Sequence, residues 1–81
     1  MPQADEQSAY EELRRRADRI SSLIVASDYP AVDVVIEIGK LKGFAEEHFP
    51  SRMGLFRRVY EGRFRRLWQQ FRTGEGNLPE W

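Results

Sequence analysis

Pro30 and Pro50 cut a chain of 81 residues into three stretches of helical length, and no other feature narrows its fold so far. Proline has no amide with which to continue a helix, and it pushes the residue before it out of the helical region. Helices must therefore end at Asp28-Tyr29-Pro30 and at Phe49-Pro50-Ser51. Proline also suits the opening turn of a new helix, so each break reads as a tight corner, with Asp28 and Ser51 as candidate caps.

The apolar spacing inside the stretches agrees. Tyr10, Leu13, Ala17, Ile20 and Ile24 recur at alternating steps of three and four, which lays them along one seam of a helix. Ser8-Ala9-Tyr10-Glu11 reads as a capping box at its start, with Asp5 as the rival cap. In the second stretch Val34, Ile38, Leu41, Ala45 and His48 repeat such a seam. Here propensity pulls the other way, because Val32, Val34, Val35, Ile36 and Ile38 favour strand and Ile36-Glu37-Ile38-Gly39 alternates. Helix is preferred for residues 31–49, since a lone strand between two helices would have nothing to pair with. Val32, Val35, Ile36, Gly39 and Gly43 form a second apolar or small face, so this helix is expected at the centre, covered on two sides.

The third stretch carries the widest apolar stripe. Leu55, Phe56, Val59, Tyr60, Phe64, Leu67, Trp68 and Phe71 fall within an arc of about 220° at 100° per residue. A single internal core rarely needs so broad a face, and these eight residues are expected to supply an interface as well, most simply with a second copy. The predicted fold is all-α: one domain over 1–81, a small three-helix up-down-up bundle that dimerisation could complete. The predicted helices cover 8–27, 30–48 and 52–73, followed by a tail, 74–81, bearing Leu78 and Trp81.

Charge separates the two halves. Residues 1–49 hold six basic and ten acidic side chains, a balance of −4, whereas 50–81 hold seven basic and three acidic, a balance of +4. Opposed halves can pair within one molecule or between two. Chemistry, by contrast, has little to stand on. Without cysteine there is no disulfide, thiolate metal site or thiol nucleophile, and a reducing, cytoplasmic setting is the default expectation. No apolar run approaches the roughly 20 residues that span a bilayer, and the first residues lack a basic signal-peptide start. His48, the sole histidine, has Glu46 and Glu47 beside it but at steps of two and one, which point away on a helix. Asp33 and Glu37 share a face with Lys40 nearby, as solvated helix faces commonly do. No metal, cofactor or catalytic residue is expected.

Arg58, Arg65 and Arg72 stand seven residues apart opposite the apolar stripe, a row with a step of about 10 Å that could follow the phosphates of a nucleic acid. Pairing of these arginines with the chain's own acids is the competing expectation. The leading functional expectation is a non-enzymatic protein–protein interaction module that self-associates, with a small nucleic-acid binder second and attachment to a membrane surface third.

Overall fold

The computed structural model describes residues 2–26, 28–72 and 74, with side chains from residue 7 onward. Every regular element is helical: α1 Pro2–Ala26, α2 Ala31–His48, a 3₁₀ turn Pro50–Arg52, α3 Met53–Phe56, a π turn Arg57–Glu61 and α4 Gly62–Phe71. The backbone stays in the right-handed helical region through both ends of the π turn, so α3, the π turn and α4 make one rod. Three rods form an all-α bundle, and the preference for helix over strand in 31–49 holds.

Both corners differ in detail from the expectation. Pro30 is not inside the first turn of α2 but caps it, at φ −59° and ψ 143°. Its carbonyl accepts the amides of Asp33 and Val34 at 3.0 and 3.1 Å, and no side chain, Asp28 included, caps this end. Pro50 opens the 3₁₀ turn, and Ser51 does not act as a cap. At the other end of the chain the first helix starts at Pro2 rather than Ser8, which lies exposed within it. Proline is at home in a first turn, so the helix has reason to start earlier than the capping box suggested.

The core is a single cluster. α1 buries Ala9, Leu13, Ala17, Ile20 and Ile24; α2 buries Val34, Ile38, Leu41 and Ala45; the third rod buries Phe56, Tyr60, Phe64 and Trp68. The seams predicted for α1 and α2 hold with two slips: Ala9 turns inward and Tyr10 outward, and His48, at the end of the α2 seam, is exposed. Each large apolar side chain so removed from water contributes roughly 1.5 to 3 kcal/mol before chain entropy is set against it.

The central position belongs to α1 and not, as expected, to α2. α1 packs against both α2 and α4, while α2 meets the third rod chiefly at Pro50–Phe56. The second face of α2 is accordingly open along most of its length: Val35 is half-buried, but Val32 and Ile36 are exposed, and a Cβ placed on Gly39 or Gly43 would meet nothing within 4 Å.

The buried residues of the third rod run at a strict step of four: Phe56, Tyr60, Phe64, Trp68 and then Arg72. At 3.6 residues per turn each such step overshoots by about 40°, so the four steps would wind about 160° around an unbroken α-helix. The π turn takes back part of this excess. The Gly62 amide donates to the Arg57 carbonyl, five residues back, which puts one more residue into that turn.

Arg72 follows α4 at φ −127° and ψ 39°, outside the helix, and is only 2% exposed. Its Nε donates to the Ile24 carbonyl at 2.8 Å, Nη2 to that of Leu23 at 2.9 Å and Nη1 to that of Tyr29 at 2.9 Å. The last four carbonyls of a helix have no partner within it and carry its negative end. One guanidinium thus closes two of those of α1 and ties them to the corner and to α4. Replacing Arg72 with Met should lower the unfolding free energy in urea titrations by about 3 kcal/mol, whereas Arg58→Met on the exposed face should cost under about 0.5 kcal/mol.

Candidate functional site

The eight aromatic and aliphatic residues expected to share one broad interface fall into two sets. Phe56, Tyr60, Phe64 and Trp68 are internal and hold the bundle together. Leu55, Val59 and Phe71 are exposed, with Leu67 half-buried between the sets. The wide arc drawn from the sequence is therefore one buried line with an exposed flank, not one continuous docking face.

Part of that flank gathers into an apolar groove where the amino-terminal half of α1, the end of α2 and the third rod come together. The groove encloses about 110 Å³ and is lined by Tyr10, Leu13, Ala45, Phe49, Arg52, Leu55, Phe56, Val59 and Tyr60. Its floor is core: Leu13, Ala45, Phe56 and Tyr60 are all buried. Its lip is Tyr10, Leu55 and Val59, each at least 40% exposed. The half-buried Phe49 comes from the turn between α2 and α3, fixed by its amide donating to Ala45 and its carbonyl accepting from Arg52. The π turn forms one wall, since Val59 and Tyr60 lie within it. Tyr10, Phe49 and Arg52 were absent from the expected interface. Tyr10 comes from α1, far from the third rod in sequence, and Phe49 and Arg52 from the turn that precedes it, so the apolar spacing of the third stretch did not include them.

The groove has a basic side. Residues 50–72 contain seven arginines and one acid, Glu61. Arg63 reaches across to α1, with its Nη1 3.3 Å from Asp18 Oδ1 and its guanidinium 5.4 Å from the Tyr60 ring. Arg57 and Arg58 are exposed, and Arg52 itself lines the groove.

The predicted arginine row does not form as drawn. Arg58 and Arg65 are exposed, but Arg72 leaves the helix and is spent on the α1 carbonyls. The cause is local: α4 stops at Phe71, one residue before the row would have gained its third member. The expected pairing of basic residues with the chain's own acids is seen instead at Arg63 with Asp18. On α1, Glu12 accepts from both Arg15 and Arg16 at 3.0 and 2.9 Å. Arg16 also lies over the Phe44 ring at 4.5 Å. Lys40 sits 3.7 Å from Glu37, as the spacing implied. The furrow between α1 and α2 that holds these pairs also holds Arg19, so it sets four basic side chains, Arg15, Arg16, Arg19 and Lys40, against Glu12 and Glu37.

His48 is exposed, with its ring 4.4 Å from that of Phe44, and no carboxylate among the described residues pairs with it. Among the described residues no group of three or more His, Asp or Glu side chains is close enough to hold a metal ion, and no helix is long and apolar enough to cross a membrane. Leu78 and Trp81 of the predicted tail lie outside the described residues. No protein-family model matches the chain, and comparison with curated proteins and with solved structures gives no significant match.

At the base of the groove, burial pushes the Tyr60 phenol above its ordinary value; Tyr10 and Asp18 add to the rise and Arg63 opposes it. A raised folded-state value means that the unfolded chain gives up this proton first, so the contribution is complete below the ordinary tyrosine range and lost as pH climbs past about 10. Thermal unfolding followed from pH 8 to 11 should show the wild type losing more of its midpoint than Tyr60→Phe, which keeps the ring and removes the titrating hydroxyl.

Proposed function

We propose that the protein is a small non-enzymatic docking module whose groove takes the apolar side chains of an acidic, amphipathic segment from a partner protein. One observation carries the reading: an apolar groove with an exposed lip of Tyr10, Leu55 and Val59 lies on a segment that holds seven arginines against one acid. Exposed apolar side chains gathered around a cleft favour a partner that covers them, and the arginine border favours one whose flanks are negative. A helix with Leu or Phe at steps of three and four and acids between them has that chemistry.

Two observations weigh against the other expectations. The aromatics of the third rod that would enter a membrane interface, Phe64 and Trp68, are already in the core. A nucleic-acid surface built on a row of three arginines retains two of them, Arg58 and Arg65.

The test is titration of isotope-labelled protein with a synthetic acidic Leu-bearing helical peptide, read by amide shifts. Shifts should concentrate on Tyr10, Phe49, Leu55 and Val59. Leu55→Asp, at a side chain 58% exposed, should weaken binding about tenfold, or 1.4 kcal/mol, without loss of folding. Absence of shifts at millimolar peptide would sink the reading. So would a mixed oligonucleotide that binds in 0.15 M salt while the peptide does not.

A further inference from the structure

We infer that a second copy of the chain docks antiparallel on α2, through Val32, Ile36, Gly39 and Gly43. This is a different face from the groove, and it stands or falls separately. α2 carries two seams with the same spacing: Val34, Ile38, Leu41 and Ala45, buried against α1, and Val32, Ile36, Gly39 and Gly43, about 160° around the helix at 100° per residue. The second seam is open, with Val32 64% and Ile36 49% exposed. Nothing stands within 4 Å of a Cβ built on Gly39 or Gly43, so those positions present bare backbone.

The order along the seam, two large residues and then two glycines, identifies the occupant. Two such helices in parallel would set large against large and leave glycine opposite glycine. Turned antiparallel about a two-fold axis, they put Val32 over Gly43 and Ile36 over Gly39 of the second copy, twice each. The flanks agree. Asp33 and Lys40 lie on one side of the seam, and the two-fold arrangement brings Asp33 beside Lys40 of the second copy at both ends. On the other side Val35 faces the aliphatic stem of Lys42 of the second copy. Glu46 and Glu47 end the seam, which limits it to about 17 Å and makes the association modest.

Sedimentation equilibrium from about 10 µM to 1 mM tests the inference. A monomer–dimer equilibrium is expected within that range. Ile36→Glu and Gly39→Leu should each raise the dissociation constant at least tenfold; both positions face open space, so the folded monomer should persist by circular dichroism. Asp33→Lys and Lys40→Asp should each weaken the dimer and should restore it when combined. Leu55→Asp, which empties the groove of its lip, should leave the equilibrium unchanged, so loss of peptide binding and loss of self-association are read apart. A monomer at 1 mM, a dimer that survives Ile36→Glu, or a charge swap that fails to restore association would each overturn it.

Discussion

The bundle depends on the way the guanidinium of Arg72 is fastened. Three rods joined by two tight corners still need something to fix where the third ends against the first, and apolar packing is poor at setting such a register because it has no direction. Three donated hydrogen bonds to the Leu23, Ile24 and Tyr29 carbonyls have direction. They satisfy backbone acceptors at the end of α1 that packing of α4 would otherwise leave buried without partners. The positive charge is held against the negative end of the α1 dipole and lies 4.8 Å from the Trp68 ring, which offsets part of the cost of removing it from water. A lysine could not reproduce this, because its single nitrogen cannot reach three divergent acceptors as a planar fork does.

Much of the fold was legible before any coordinates. Both corners, the helical nature of each stretch and two of the three core seams follow from proline placement and from steps of three and four. What the sequence left undecided is tertiary in origin. Nothing in the spacing of α2 distinguishes a helix buried on both sides from one buried on a single side; its two seams repeat at the same steps, and it is α1 that covers the one with Val34, Ile38, Leu41 and Ala45. The interface drawn on the third rod was too broad for a related reason. An angular arc computed with a uniform 100° per residue cannot anticipate a turn closed five residues back, and the π turn between Arg57 and Glu61 is what gathers the deeper residues into one line.

Arg72 shows the limit of periodic reasoning most clearly. On an unbroken helix it belongs with Arg58 and Arg65, and charge alone would send all three to solvent. It also belongs to the step of four that begins at Phe56, and that second periodicity prevails because open carbonyls wait where the helix ends. The groove was illegible for a simpler reason: Tyr10, Phe49 and Leu55 come from three different elements. Arg52 and Tyr60 complete its wall only once the 3₁₀ and π turns have set the path between them.

The outline of the bundle has its own physical consequence. Its Cα positions extend 47 × 20 × 17 Å, more than twice as long as wide, because α1 runs unbroken for 25 residues. A rod of that proportion meets more friction in water than a sphere of the same mass and tumbles anisotropically. It will therefore elute early from a gel column and resemble a larger particle. For this chain, elution volume confounds elongation with pairing, whereas mass measured by sedimentation equilibrium or scattered light does not depend on shape.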